Sequence, residues 1–180
     1  MRVITGKARG VALKTPEGMA TRPTTDRVKE ALFSIIQFDI PGCRVLDLFG
    51  GTGQLGIEAL SRGASGAVFV DASDTACKLI RENLRRTKLE ASATVIRGDY
   101  LDYLHRCRDK FDIIFLDPPY AEVFLENSLK CITEIDILQT NGIIVTERPL
   151  DKEIPRDFPG FTRSKDYKYG NTLITLYRKQ

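Results

Sequence analysis

The sequence predicts an α/β fold: a mostly parallel sheet of seven strands with helices on both faces, a C-terminal antiparallel hairpin, and a small β-hairpin at the N-terminus. Three observations predict it. Phe111 to Leu116 is an apolar run broken only by Asp112, as a strand covered on both faces requires. Strand-like runs alternate with helical periodicity from Arg44 to Glu147. Finally, Phe161–Lys168 and Thr172–Tyr177 are separated only by a Tyr169-Gly170-Asn171 turn, too short for a helical crossover, so they must pair antiparallel.

In order along the chain, Arg2–Thr5 and Val11–Lys14 flank Gly6-Lys7-Ala8-Arg9-Gly10, which predicts a hairpin with a basic tip. Pro16 and Gly18 mark a turn. Thr24 or Thr25 can cap a helix through Val28, Ala31, Leu32, Ile35 and Ile36, which Pro41-Gly42 ends. Arg44–Phe49 is the first strand of the sheet, followed by a glycine loop and a helix with Leu55, Ile57, Ala59 and Leu60, and Gly63 stands where a C-terminal cap is wanted. Ala67–Asp71 is the second strand. Ser73 or Asp74 caps a helix whose buried face is Cys77, Ile80 and Leu84, and whose Lys78, Arg81, Arg85 and Arg86 read as a solvated surface. Ala93–Ile96 is the third strand, and a short helix with Leu101 and Leu104 leads to the fourth, Phe111–Leu116. A helix with Val123, Phe124, Leu129 and Ile132 and a fifth strand, Gly142–Glu147, follow. One domain is expected over 1–180: a basic hairpin arm at 1–20, a helix at 21–40 and the sheet-bearing core at 43–180.

At 42% hydrophobic and 28% charged, the composition is that of a soluble globular chain, and no apolar run approaches the roughly 20 residues that span a bilayer. The N-terminus has no signal-peptide core, and Cys43, Cys77, Cys107 and Cys131 have neither disulfide-framework nor zinc-site spacing, so the cytoplasm is expected. The charge is uneven. Residues 1–30 hold seven Lys and Arg against three acids, whereas the remainder holds 20 against 21. A basic arm on a near-neutral body suits a polyanionic partner; the plain alternative is a solvated hairpin.

Gly51-Thr52-Gly53-Gln54-Leu55-Gly56 matches the dinucleotide fingerprint and has Asp71 about 20 residues on. Alone, it permits a nicotinamide enzyme. The other strand ends point elsewhere. Asp47 precedes the glycines, where a carboxylate suits a cationic group better than a pyrophosphate. Asp99 follows strand three and can accept from an adenine amine; turn capping is the plain alternative for both. S-adenosylmethionine, with an amine, a sulfonium, a ribose and an adenine but no phosphate, fits this set.

Asp117-Pro118-Pro119-Tyr120 ends the fourth strand. Asp117 and the Pro118 carbonyl are adjacent acceptors, suited to an exocyclic amine with two N–H donors. Holding both hydrogens out of plane localises a lone pair that otherwise delocalises into the base. Tyr120 can stack on that base, worth about 1–3 kcal/mol. A capped strand end with a buried tyrosine is the alternative.

Val45-Leu46-Asp47-Leu48-Phe49-Gly50-Gly51-Thr52-Gly53, Asp71, Asp99 and Asp117–Tyr120 resemble the motifs of the Rossmann-like class I methyltransferases. More narrowly, Arg22-Pro23-Thr24-Thr25-Asp26-Arg27-Val28-Lys29-Glu30-Ala31-Leu32-Phe33 and Leu55-Gly56-Ile57-Glu58-Ala59-Leu60-Ser61-Arg62-Gly63-Ala64 resemble the RsmD family, which methylates N2 of a guanine in bacterial 16S ribosomal RNA. The resemblance spans essentially the whole chain. The family often has Ala and Ser where this chain has Gly50 and Thr52.

The resemblance implies S-adenosylmethionine over strands one to three. Asp47 and the Gly50, Gly51, Thr52 and Gly53 backbone would hold its methionine end, Asp71 its ribose and Asp99 its adenine, with Phe49 and Tyr100 beside it. Arg22 and Thr24 would lie near its carboxylate, where an arginine fork fits. It also implies a flipped guanine oriented by Asp117 and Pro118, with Pro119 and Tyr120 completing the catalytic set, an in-line attack of its amine on the methyl, and no metal. The partner would be 16S rRNA or the small ribosomal subunit, with Lys7, Arg9, Lys14 and Arg27 as RNA contacts, and the enzyme would act as a monomer. The same tetrapeptide would serve a DNA amine or a glutamine amide methyltransferase, although the former adds a recognition segment and the latter typically has Asn at position 117. A non-enzymatic RNA-binding module with a vestigial pocket is the remaining alternative. His105, among Arg106, Arg108 and Lys110, is not expected to be catalytic.

Overall fold

The computed structural model describes residues 1–16, 24–119, 122–151 and 158–179, and within these not the side chains of Thr24, Thr25 and Glu122. The predicted turn at Pro16–Gly18 therefore lies largely outside the described residues, as do Arg22 and Tyr120.

Seven strands form one sheet: β1 (Arg44–Asp47), β2 (Gly66–Asp71), β3 (Ala93–Arg97), β4 (Phe111–Leu116), β5 (Leu138–Pro149), β6 (Phe161–Tyr169) and β7 (Thr172–Lys179), in the spatial order β3-β2-β1-β4-β5-β7-β6. The first five run parallel. β7 inserts antiparallel between β5 and β6, so the terminal hairpin completes one edge. Among the described residues the α-helices are α1 (Thr24–Ile35), α2 (Gln54–Ser61), α3 (Asp74–Thr87), α4 (Tyr100–Arg106) and α5 (Glu122–Ile135).

Alternation along the strands divides the core in two. Odd-numbered residues Val45, Phe69, Ile113, Phe115 and Val145 pack under α1, α2, α3 and the N-terminal segment. Even-numbered residues Leu46, Val68, Ile114, Leu116 and Ile144 pack under α4 and α5. β4 lies between β1 and β5, and both its faces are covered, with Ile113, Ile114, Phe115 and Leu116 fully buried. Each such side chain contributes about 1.5–3 kcal/mol through burial.

Strand ends differ in detail from the expectation. β1 stops at Asp47 because Leu48 to Gly51 turn into the glycine loop. β5 starts four residues early, at Leu138, and regains its register with β4 after an irregularity between Phe111 and Ile113. Ser73 caps α3 by accepting from the Ala76 N–H at 3.3 Å. Gly63, just past α2, has φ +106, the left-handed conformation expected of a residue following a C-cap. Val123, expected among the apolar residues of α5, is 64% exposed.

The N-terminal hairpin is not an extended arm. Its ladder is a single antiparallel bridge, Arg2 to Ala12, supported by Val3 N–H to Val11 O at 3.0 Å and Leu13 N–H to Met1 O at 3.1 Å. Val3, Ala8 and Leu13 are buried in the core. The segment lies on α2: the Ile4 and Thr5 N–H groups donate to the Glu58 carboxylate at 2.8 and 3.0 Å, and the Lys7 N–H donates to Ser61 O at 2.8 Å. At Gly6 the contact is so close that a Cβ would stand 1.8 Å from Ser61 O. Tertiary bonds replace the ladder that strand propensity alone would have extended.

Candidate active site

Asp47 and Asp71 end β1 and β2, and Asp117 follows β4. All three continue the alternation that faces the α1–α3 layer. β1 and β4 are neighbours whose onward connections leave in opposite directions, the switch point at which open parallel sheets form a crevice. Helix α1 reaches the same end. Lys29 meets Glu58 at 3.6 Å and the Arg62 guanidinium lies 4.9 Å from the Phe33 ring centroid. The sequence offset is the same in both pairs, so α1 and α2 run parallel and in register. The backbone of Thr24 and Thr25 is therefore level with Gln54 and the glycine loop.

That loop is built for close approach. Gly51 and Gly53 have φ +54 and +79, conformations that glycine adopts without strain. A Cβ at Gly50 would stand 2.7 Å from Ile80 Cδ1, and one at Gly56 would stand 2.3 Å from Phe69 Cε1, so both glycines permit tight packing onto the sheet and α3. Thr52 is turned away: its hydroxyl bonds Met1 Sδ at 3.4 Å and its carbonyl accepts from Asn83 at 2.9 Å.

The carboxyls are held differently. Asp47 is 2% exposed and accepts from the Gly56 N–H at 3.1 Å. Burial, opposed in part by that bond and aided by Asp117 and Asp71, pushes its carboxyl up to about 7. Asp71 accepts from Gly51 N–H at 2.9 Å and Ser73 N–H at 2.8 Å. Asp99 caps α4 through Oδ1, accepting from Leu101 and Asp102 N–H at 2.8 and 3.2 Å, so the capping alternative accounts for that oxygen. Phe49 and Tyr100 meet at 5.2 Å between centroids, and Phe124 of α5 closes an aromatic triad with both.

Asp117 and Pro118 are half-buried and Pro119 is exposed. Burial raises the Asp117 carboxyl to about 6. Beside it stands a residue the sequence argument passed over. Leu116 pairs with Thr146, so the next residues, Asp117 and Glu147, emerge side by side on the same face. Glu147 is half-buried, and burial with the nearby Asp117 charge pushes its carboxyl up to about 8. No described residue donates a hydrogen bond to either carboxyl. The available signal was the acid ending the fifth apolar run, like those ending the others.

The basic candidates do not converge on this corner. Lys7 and Arg9 are exposed near Ser61, at the far end of α2, about 12 Å along the helix from the glycine loop. Lys14 lies nearer, where its backbone bonds Asn83 and its side chain pairs with Glu82. Arg27 is exposed on α1, roughly level with Gly56.

The residues present fit S-adenosylmethionine better than a dinucleotide. A pyrophosphate needs free N–H groups and positive charge, but the Gly51 N–H is taken by Asp71, and Asp47 adds a second acid. Gln54 Oε1, in the first turn of α2, is buried with no hydrogen-bond partner among the described residues, an acceptor available to a donor-bearing ligand. Asp47, Asp71 and Gln54 together suit a ligand with an ammonium and hydroxyl groups.

Comparison with known proteins shows the family. The family model described as Conserved hypothetical protein 95 matches residues 1–178. YlbH of Bacillus subtilis is 41% identical over 183 residues, covering 100% of both chains. A Haemophilus influenzae protein named Ribosomal RNA small subunit methyltransferase D is 36% identical over 157 residues, covering 86% of this chain and 81% of its own. The solved structure of yhhF from Escherichia coli matches with TM-score 0.89 at 27% identity, covering 100% of this chain and 98% of that one.

Proposed function

The chain belongs to the family described as Conserved hypothetical protein 95, and from that premise we propose that it transfers a methyl group from S-adenosylmethionine to the exocyclic N2 amine of a guanine in 16S ribosomal RNA. It is an S-adenosylmethionine-dependent rRNA methyltransferase with the class I fold. The observation that carries the guanine amine is Asp117: a half-buried acceptor with no donor among the described residues, at the switch point of the sheet and on the same face as Asp47.

S-adenosylmethionine, when bound, supplies an electrophilic methyl group on a sulfonium. Asp47 accepts from its ammonium, and that cation favours the ionised carboxyl that burial otherwise opposes. Asp71 keeps lone pairs for the ribose hydroxyls beyond its two backbone bonds. Gly50 to Gly53 form the bare wall, and Phe49, Tyr100 and Asp99 border the adenine. Thr24 opens α1 beside this loop, and Arg22 is assigned to the cofactor carboxylate. Asp117 and the Pro118 carbonyl hold the guanine amine and direct its lone pair, Pro119 shapes the turn, and Tyr120 stacks on the base. Asp117 is also placed to take the proton that the amine loses after transfer. Lys14 and Arg27 are the nearer RNA contacts and Lys7 and Arg9 the more distant ones. A ribosomal substrate places the enzyme in the cytoplasm, as a monomer on the small subunit or its RNA.

The test is transfer from labelled S-adenosylmethionine to small subunits or 16S RNA from a host lacking the activity, followed by nucleoside analysis. N2-methylguanosine at one position is expected. No transfer to any RNA form, with cofactor binding intact, would redirect the assignment to a DNA or protein amide.

A further inference from the structure

We propose that Glu147 is a specificity-determining residue, which reads the N1–H of the acceptor guanine while Asp117 holds its N2 amine. The proposal rests on the reading of Asp117 given above. Three observations place Glu147 there. The parallel register of β4 and β5, with Leu116 opposite Thr146, sets the two carboxyls on neighbouring strands, about 4.8 Å apart in the pairing direction, and on one face of the sheet. Glu147 is half-buried and accepts no hydrogen bond from a described residue, so its oxygens are open to donors from a ligand. On the other side, β7 opposes it with apolar Ile174, so no described cation competes for it.

Guanine supplies what this pair lacks. Its N1–H and N2 amine are adjacent donors on one edge, whereas the adenine amine is flanked by an acceptor, N1. Two acceptors side by side match the first pattern and leave the second with a poor partner. Burial and the nearby Asp117 charge favour the protonated form of the Glu147 carboxyl. Its carbonyl oxygen still accepts from N1–H, and its O–H then points a donor at the guanine O6. Glutamine reproduces that donor and acceptor pair, whereas leucine removes both.

The experiment uses the RNA form that the native enzyme methylates, with the target guanine either intact or replaced by 2-aminopurine. The analogue keeps the N2 amine but has an acceptor at N1 and no O6. The native enzyme is expected to favour guanine by roughly 10- to 100-fold in kcat/KM. Glu147→Gln retains that ratio within a few-fold, and Glu147→Leu lowers it by about tenfold or more. S-adenosylmethionine titration checks that each variant is folded, and Glu147→Met, closer in length to glutamate, replaces a leucine variant that fails it. Equal loss on both bases, or an unaltered ratio in the apolar variant, overturns the proposal, since a structural role lowers both rates alike. A native enzyme that methylates N2 of guanine and 2-aminopurine equally overturns the role of Glu147 while leaving the guanine-N2 function standing. A native enzyme that places no methyl on guanine N2 overturns both.

Discussion

Asp47, Asp71 and Asp117 share a position, the carboxyl end of a parallel strand, yet their bonding separates their chemistry. Asp71 accepts two backbone N–H groups and Asp47 accepts one, whereas Asp117 has no described donor. A carboxyl bonded by the backbone holds a loop; an unbonded one at a crevice is available to a substrate. Asp117→Ala is expected to lower methyl transfer by at least about 100-fold, the scale of a lost acid–base and orienting group, with S-adenosylmethionine affinity kept within a few-fold by titration. Normal turnover would remove Asp117 from the mechanism. Burial lifts its carboxyl to about 6, so the ionised acceptor is present above that pH and lost as pH falls through it. The kcat/KM profile of the native enzyme should fall on the acid side near pH 6. His105, the only histidine, is exposed on α4.

At the scale of elements, Glu58 ties three segments together. Its carboxylate is fully buried, accepts from the hairpin at Ile4 and Thr5 and from Arg62 at 2.8 Å, and faces the Lys29 ammonium at 3.6 Å. Lys29 also donates to Arg2 O at 2.5 Å, and burial pulls its ammonium below its ordinary range despite Glu58. Removing one partner of such a pair leaves a buried charge uncompensated. Glu58→Ala should therefore cost about 3–5 kcal/mol in urea unfolding. A loss under 1 kcal/mol would mean that the hairpin and α1 are held by apolar packing alone. The same network explains why the basic tip is seated against α2 and does not reach out from the body. Lys29, counted among seven basic residues near the N-terminus, is internal and presents no charge to a partner.

Across the whole molecule, the sheet order brings residues far apart in the chain to one corner and leaves the basic surface spread along α1, α2 and the hairpin. Lys7 and Arg9 are exposed on that surface but distant from the crevice. Neutralising both should weaken RNA binding and reduce the slope of log affinity against log salt by roughly 1.5, about 0.7–0.9 per phosphate contact. An unchanged slope would mean that the RNA stays near Lys14 and Arg27.

Local chemistry made much of this legible beforehand. An apolar run broken only by Asp112 suits a strand covered on both faces, and Phe111 and Ile113 to Leu116 are buried accordingly. A glycine loop between a strand and a helix can only bring backbone near a ligand, and its positive φ angles follow. The acids at the ends of successive apolar runs marked the crevice, because parallel strands place all their C-terminal ends together. The sequence by itself thus determined the element order, the fold class and the acids that end successive strands. Only the tertiary structure decided what each does there. Which N–H groups pair with Asp47, Asp71 and Asp99, that the Thr52 hydroxyl turns to Met1, that Glu58 seats the hairpin, and that Glu147 stands beside Asp117 all depend on strand register and helix packing. Those are non-local contacts, set by how the apolar faces fit together, and no local pattern along the chain encodes them.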